Sequence, residues 1–136
     1  MELQDVLSKM LNNFSAATRR AALREIARYL LLSNRKRIRA NVQPDGSAMQ
    51  ARKDGAGRMF RKIGRQMQQR ATADQAEVGF AGRTGWVATN HQLGRSIRQG
   101  KYTVNFPVRE LLGLDEADRK AVRDILIKYV GVGWAA

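Results

Sequence analysis

The chain has 136 residues, 43% of them apolar, with 25 Lys and Arg against 12 Asp and Glu, a formal net charge of +13. This length predicts one domain, and the charge predicts an anionic partner, since solubility alone needs only about 2 to 8 net charges. The absence of cysteine and the single histidine exclude disulfides, thiolate metal sites and multi-histidine metal centres.

Membrane insertion and secretion find no support in the sequence. The apolar run Leu30-Leu31-Leu32 is far shorter than the roughly 20 residues that a bilayer span needs. Glu2 and Asp5 lie near the start, and no basic segment followed by an apolar stretch marks a signal peptide there. The sequence therefore predicts no membrane partner and a location in the cytoplasm of the cell that makes the protein.

The first third of the chain predicts two helices. Apolar residues at spacings of three and four predict a helix over residues 3–14. A second, long helix is expected to begin after Ser15, an N-cap residue, and to end near Asn41. Its apolar face has a polar gap at Asn34 and otherwise comprises Leu23, Ile26, Ala27, Leu30, Leu31 and Ile38. Four arginines fall mostly between these positions and predict a basic opposite face: Arg19, Arg20, Arg24 and Arg28.

A turn and a long loop follow. The sequence Gln43-Pro44-Asp45-Gly46 predicts a tight turn, because proline fixes φ at the second position and glycine is unrestricted at the fourth. The loop over about 44–58 is long for a connection within a domain, and such loops are often mobile. Apolar residues then predict a short helix: Met59, Phe60, Ile63 and Met67.

The second half predicts strands and a final helix. Val78 and Phe80 predict a strand, residues 82–85 a hairpin turn and residues 86–88 a second strand. The alternation of Tyr102, Val104 and Phe106 predicts a half-buried strand that Pro107 ends. Helices, then an antiparallel sheet, then a helix give the fold class α+β.

The final helix is expected to begin at Asp115 as N-cap, with acids in its first turn. Its predicted buried side comprises Ala117, Ala121, Val122, Ile125, Leu126 and Tyr129. Gly131 and Gly133 are expected to end it, leaving a short C-terminal tail, 131–136. The predicted organisation is one domain over residues 1–136.

Two patterns that suggest enzymes are better explained by structure. Asp115-Glu116-Ala117-Asp118 matches the acidic motif of a helicase family, but the GxxxxGK[ST] loop that such enzymes need is missing. Capping of the final helix explains this acidic motif. His91 lacks the nucleophile and orienting acid of a catalytic site, and Ser96 has no GxSxG around it. We therefore predict no catalytic, cofactor-binding or metal-binding residue, no small-molecule substrate and no enzyme activity.

A basic run occupies residues 35–70, where eleven Lys and Arg stand against two Asp. Lys and Arg suffice for phosphate contact, which carries no sequence information. The run favours docking to an acidic protein and nonspecific contact with DNA equally. The candidate docking residues are Arg35, Arg37, Arg39, Arg52, Lys53, Arg58, Arg61, Lys62 and Arg65.

Several short motifs, in this order and at this spacing, resemble one family, the phage virion morphogenesis or tail completion proteins of contractile-tailed temperate phages, including Mu-like ones. The first are Ser15-Ala16-Ala17-Thr18-Arg19-Arg20, Arg37-Ile38, Gln43-Pro44-Asp45-Gly46-Ser47, Ala51-Arg52-Lys53 and Met59-Phe60-Arg61-Lys62-Ile63. The later ones are Val78-Gly79-Phe80-Ala81-Gly82-Arg83, His91-Gln92-Leu93-Gly94 and Phe106-Pro107-Val108-Arg109-Glu110-Leu111-Leu112-Gly113-Leu114. The structural motif residues taken from this resemblance are Pro44, Asp45, Gly46, His91, Gln92, Gly94, Pro107 and Gly113.

The resemblance implies a structural virion protein that completes the phage tail and enables head–tail joining. It implies a homo-oligomeric ring, sixfold to match the tail tube, at the head–tail joint of the virion. The implied neighbours are tail tube or sheath and head–neck connector proteins, with nonspecific contact to packaged DNA. A terminator and a connector role remain alternatives. The rival interpretation, from a different class, is a cytoplasmic module that binds DNA or RNA without sequence specificity.

Overall fold

The structure, a computed structural model, describes residues 4, 5, 8, 14–52, 60 and 62–134. Its elements in chain order are α1 (Ala16–Arg39), a 3-10 helix (Ile63–Gln66), β1 (Gln68–Ala71), β2 (Ala76–Gly79), α2 (Gly82–Leu93), β3 (Ser96–Gln99), β4 (Tyr102–Asn105) and α3 (Glu116–Trp134). The strands form two separate antiparallel pairs, β1–β2 and β3–β4. The predicted α+β class is confirmed.

The long first helix begins and ends as predicted. The Thr18 amide donates to Ser15 Oγ at 3.2 Å and caps the start of α1. The helix ends at Arg39, and Asn41 has φ of 60°, which stops its continuation. Residues 4, 5 and 8 are helical, whereas the rest of the helix predicted over 3–14 lies outside the described residues.

The core lies on the inner face of α1. This helix packs against the 3-10 helix, β1, β2 and α3. The buried apolar cluster comprises Leu31, Ile38, Met49, Phe60, Met67, Ala88 and Leu111. Asn34 and Arg37 are buried on the same face, so the polar gap of the sequence pattern is part of the interior. Among the described helices, none combines the length and apolar content that a bilayer crossing requires.

The segment after the β2 strand corrects the sequence prediction. Residues 82–93 form α2 and not a hairpin turn followed by a strand. Gly82 has φ of +59°, and a Cβ on Gly85 would stand 2.7 Å from the Phe80 carbonyl oxygen. The two glycines therefore start a helix close to the preceding chain. The buried positions of this helix are Ala88, Asn90 and His91, and Ala88 and His91 share a face because they are three residues apart.

The strands also differ from the predicted ones. β2 pairs with β1, whose sequence Gln-Gln-Arg-Ala has no apolar alternation, in the register Gln68↔Gly79 to Ala71↔Ala76. β4 exists as predicted but is exposed along its length and not half-buried. It pairs with β3, which the sequence analysis did not predict. Local patterns missed β1 and β3 because pairing, and not burial, makes them strands.

The region around residues 59–67 and the final helix also differ from the prediction. Of the helix predicted over 59–67, the described residues form one 3-10 turn, Ile63–Gln66, next to buried Met67, and residues 59 and 61 lie outside the described residues. α3 continues through Trp134, so its predicted end at Gly131 is wrong. Ala117 is exposed, and the buried group in the first turn of α3 is the Asp118 carboxylate.

Candidate functional site

His91 is buried near the C-terminal end of α2. Its Nδ1 accepts from Arg109 Nη1 at 3.1 Å, since a guanidinium can only donate. The imidazole meets the rings of Phe60 and Phe106 edge-on, with centroids 4.9 and 5.0 Å away. Burial and the charge of Arg109 lower the pKa of His91, although a hydrogen bond with the Pro107 backbone acts in the opposite direction. His91 is therefore a neutral packing group whose Nδ1 is already occupied.

Arg109 ties three segments of the chain together. Its Nε donates to the Gln50 carbonyl at 2.7 Å, and its Nη2 donates to the Ala51 carbonyl at 2.8 Å. Its own amide donates to the His91 carbonyl at 2.8 Å. The guanidinium is buried, and burial lowers its pKa. This residue fixes the start of the 50–52 segment against the end of α2.

Gln92 serves as a hydrogen-bonding partner for extended backbone. Its Oε1 accepts from the amides of Leu111 and Leu112 at 2.8 and 3.0 Å. Its Nε2 donates to the Leu112 carbonyl at 2.9 Å. The side-chain amide thus satisfies three backbone groups beside the buried Leu111. Segment 111–112 is held to α2 in this way.

Gly94 allows the chain to cross the end of α2. It ends the helix with φ of +63°, the left-handed conformation typical of glycine there. A Cβ at this position would stand 2.5 Å from Val108 Cγ2. Phe106 and Pro107 precede this contact, and the Phe106 amide donates to the Arg95 carbonyl at 2.9 Å. The absence of a side chain at 94 therefore sets the path of residues 106–108.

The predicted turn at 43–46 is confirmed. The Gly46 amide donates to the Gln43 carbonyl at 2.9 Å, with Gly46 at φ of +90°. Asp45 Oδ1 accepts from the amide and hydroxyl of Ser47 at 2.8 and 2.5 Å, and these bonds lower the pKa of Asp45. The bonds are those expected of an Asx turn.

This turn packs on Gly113. A Cβ on Gly113 would stand 2.5 Å from Pro44 Cγ, so only glycine accepts the proline ring here. The Gly113 amide donates to Asn34 Oδ1 at 3.1 Å, and its carbonyl accepts from Arg37 Nη2 at 2.6 Å. The turn, segment 106–113 and the C-terminal part of α1 are therefore one connected unit.

A buried ion pair joins α1 to α3. Arg37 Nη1 donates to Asp118 Oδ2 at 2.6 Å and to Asp115 Oδ2 at 2.9 Å, while Nη2 also donates to Asn34 Oδ1 at 2.8 Å. Burial raises the pKa of Asp118, but hydrogen bonds from Ser33, the Asp115 amide and Arg37 outweigh it, and the pKa lies below its ordinary value.

The acidic motif is a helix cap, as predicted. The Asp118 amide donates to Asp115 Oδ1 at 2.7 Å, and the Asp115 amide donates to Asp118 Oδ2 at 3.1 Å. Two backbone donors are satisfied reciprocally at the start of α3. Asp118 therefore serves both the cap and the ion pair.

The described residues of the basic run differ in their surroundings. Arg37 is 8% exposed, so its assignment to the docking residues is wrong. Arg35 is half-buried and donates to the carbonyls of Gly64 and Met67 at 2.7 and 3.1 Å, which holds the 3-10 helix on α1. The remaining described residues of the set are exposed: Arg39, Arg52, Lys62 and Arg65. Lys53, Arg58 and Arg61 lie outside the described residues.

The β3–β4 hairpin is exposed along most of its length. Its register pairs Ile97 with Val104 and Gln99 with Tyr102, so these four side chains share one face. Tyr102 is 76% exposed and Val104 37%. At the base, the Trp86 and Phe106 rings meet edge-on with centroids 6.2 Å apart, and Trp86 is itself exposed. We call this largely apolar surface the hairpin face.

Comparison with known proteins identifies the family. The model of the phage virion morphogenesis family matches residues 1–131. The chain belongs to this family. It is 28% identical over 141 residues to tail completion protein S of Escherichia phage P2, which covers 93% of this chain and 94% of that protein. No solved structure matches the chain.

The eight motif residues named in the sequence analysis lie within the connected unit or in direct contact with it. They occupy the 43–47 turn, the end of α2 and segment 106–113, and they are Pro44, Asp45, Gly46, His91, Gln92, Gly94, Pro107 and Gly113. Sequence reasoning missed the partners Asn34, Arg109 and Asp118. The spacing of Ala27, Leu31, Asn34 and Ile38 along α1 is the signal that could have placed Asn34 inside.

Proposed function

We propose that this protein is a structural subunit that completes the phage tail and makes it competent to join a DNA-filled head. Membership of the virion morphogenesis family and the similarity to the P2 tail completion protein support this role. The location that follows is the virion, at the head–tail joint. The connected unit supports a structural and not a catalytic role, because its polar side chains hold backbone segments in place.

We infer further that the subunits assemble as a ring, and the hairpin face carries this inference. A two-stranded hairpin is marginally stable alone, and this one leaves Tyr102 and Val104 exposed. A ring of identical subunits needs two different complementary surfaces on each subunit. The hairpin face is proposed as one of them, with a second copy of this chain as its occupant.

An apolar groove between β2 and α2 is the proposed second surface. Its cavity has a volume of about 290 Å³, and its lining residues include Phe80, Ala88, Leu93 and Leu112. Leu93 at its edge is 57% exposed. The Tyr102 ring of one subunit is proposed to enter this groove on the next. The two open faces of the ring are proposed to contact tail tube or sheath proteins and head–neck connector proteins.

Cysteine cross-linking tests the ring, because the natural chain has no cysteine. The double variant Tyr102→Cys/Leu93→Cys should give a ladder of oligomers on oxidation, ending at the size of the closed ring. The control Thr103→Cys/Leu93→Cys places the thiol on the opposite hairpin face and should give no ladder. Monomers alone from the first variant, or equal ladders from both, would contradict the proposed contact.

Complementation tests the role in tail completion. A phage defective in this gene should be rescued by the wild-type protein and by Thr103→Glu. Tyr102→Glu, with the same added charge one residue away on the other face, should leave tails and filled heads unjoined in electron micrographs of the lysate. Rescue by Tyr102→Glu would exclude the hairpin face. If the defective phage formed normal particles without any added copy of the gene, the tail completion role itself would be excluded.

A further inference from the structure

The outer face of α1 carries a line of cations. Five exposed Lys and Arg follow one another mostly at four-residue spacing, interrupted by exposed Leu32: Arg20, Arg24, Arg28, Lys36 and Arg39. Residues four apart in a helix are neighbours on one face. At 1.5 Å rise per residue, this line extends over about 28 Å. We call it the α1 cation face.

Four of the five cations of this face have no acidic partner among the described residues. Glu25, the one acid of α1, accepts from Lys128 Nζ at 3.0 Å and from the Tyr129 hydroxyl at 2.6 Å, so it faces α3. Within the described residues, no carboxylate forms a salt bridge with Arg20, Arg24, Arg28 or Lys36. Arg20, Arg24, Arg28 and Lys36 are therefore exposed cations without a carboxylate partner among the described residues.

The remaining cations of α1 have structural partners. Arg19 donates to the Phe14 and Ala73 carbonyls at 2.8 and 3.1 Å. Arg35 and Arg37 hold the 3-10 helix and α3, as described above. The fold thus separates two groups of cations that the sequence pattern mixes. One group stabilises the domain, and the other is presented to solvent.

A groove beside the helix extends the α1 cation face towards the sheet. It has a volume of about 230 Å³ and is lined by Arg24, Ala27, Gln69, Arg70 and Ala71. Arg24 and Arg70 therefore share one groove. Glu77 lies opposite Arg70 in the strand register, and its carboxylate accepts from Gln75 Nε2 at 2.8 Å. Both side chains can therefore contribute positive charge to an anion that enters this groove.

We propose that the α1 cation face binds the phosphate backbone of duplex DNA without reading its sequence. Lys and Arg alone suffice for such contacts, and arginine binds phosphate through two parallel hydrogen bonds. A protein partner would need an apolar centre, and Leu32 is the one exposed large apolar residue of this face. The hairpin face, with Tyr102 and Trp86, has the composition that suits a protein partner.

The choice of duplex DNA follows from the chemistry of the face. Single-stranded nucleic acid is bound by stacking its bases on aromatic rings. Tyr29, the one aromatic residue of α1, is turned inward, where burial and the Asp118 and Asp115 carboxylates raise its pKa. The grooves of B-form DNA leave room for a straight helix beside the phosphates, whereas the deep, narrow major groove of RNA duplexes does not.

Fluorescence anisotropy with the purified protein and 30-bp DNA duplexes of unrelated sequence tests the proposal. Arg20→Gln/Arg24→Gln/Arg28→Gln should bind at least tenfold more weakly than wild type at 50 mM salt. The slope of log K against log salt should become shallower by about 2.7, because each phosphate contact contributes about 0.9. The control Arg83→Gln/Arg98→Gln/Lys101→Gln removes the same charge from exposed positions elsewhere and should stay within about twofold of wild type.

A charge-conserving variant guards against a loss caused by misfolding. Arg20→Lys/Arg24→Lys/Arg28→Lys should keep the salt slope of the wild type. Equal losses of DNA affinity in the glutamine variant and its control would overturn the proposal, because net charge alone would then explain the binding. Tighter binding to poly-glutamate than to DNA would replace it with an acidic protein partner. Tighter binding to single strands or RNA duplexes would also overturn it. This inference is independent of the proposed function, because the isolated subunit is measured.

Discussion

Arg37 of α1 and Asp118 of α3 form a buried ion pair, with Nη1 and Oδ2 2.6 Å apart, between residues 81 positions apart in sequence. The Asp118 carboxylate also accepts from Ser33, and Asp115 supports the pair from 2.9 Å. The Arg37 guanidinium additionally bonds the carbonyl of Gly113, next to the 43–47 turn. One side chain therefore links the long helix, the final helix and the motif turn.

We expect Asp118→Ala to lower the free energy of unfolding by about 3–5 kcal/mol, because it leaves a buried guanidinium without its main partner. Lys36→Ala, at an exposed neighbour of Arg37, should change it by no more than about 0.5 kcal/mol. Urea denaturation measures both values. A cost for Asp118→Ala as small as that of Lys36→Ala would show that the pair contributes little.

Stability should also depend on this pair in acid. The pKa of Asp118 is lowered in the folded state, so its contribution is present above the unfolded pKa and is lost as the pH falls through the folded pKa. The Asp118→Ala variant should accordingly lose less stability than the wild type between pH 5 and strong acid. Parallel loss in both proteins would assign the acid sensitivity to other carboxylates.

His91 should titrate below the ordinary histidine pKa of about 6.5, because burial and Arg109 disfavour its charged form. With the folded pKa lowered, the unfolded chain takes up the proton first. The contribution of His91 to the free energy of unfolding is therefore fully present above about pH 6.5, and it is lost as the pH drops towards the folded pKa.

NMR of the imidazole nitrogens measures this pKa without assignment problems, because the chain has one histidine. The spectra should also show the proton on Nε2, since Nδ1 accepts from Arg109. A midpoint at or above 6.5, or a proton on Nδ1, would contradict the described packing of this ring.

Gly94 and Gly100 offer a matched pair of substitutions. Both have positive φ, +63° and +61°, but a Cβ would collide with Val108 only at 94, and it would meet nothing within 4 Å at 100. Gly100→Ala should cost about 1–2 kcal/mol for the left-handed backbone alone. Gly94→Ala should cost about 1–3 kcal/mol more than this, because its Cβ also collides with Val108. Thermal unfolding of both variants gives the difference, and equal costs would show that Val108 moves aside freely.

Much of the fold followed from local sequence. Ser15 and Asp115 predicted the starts of α1 and α3, since a cap is a contact between residues three apart. Gln43 to Gly46 predicted the turn, because its bonds close within five residues. The family was also evident from short motifs, which report local structure at fixed spacing.

Residues 82–93 show where local patterns failed. Two glycines and alternating residues favoured a hairpin turn and a strand, but the segment is a helix that buries Ala88 and His91. The strand that pairs with β2 is instead the polar strand β1. Neither choice is visible locally, because each depends on which segment lies opposite in space.

The sequence by itself determined the α+β class, the helix caps, the turn and the excess of positive charge, because each is a property of neighbouring residues or of composition. Only the tertiary structure decided which charges are available to partners. Arg37 and Arg39 are two residues apart on one helix, yet one is buried against Asp118 and the other is exposed. Burial and pairing depend on segments far away in sequence, and no local pattern contains that information.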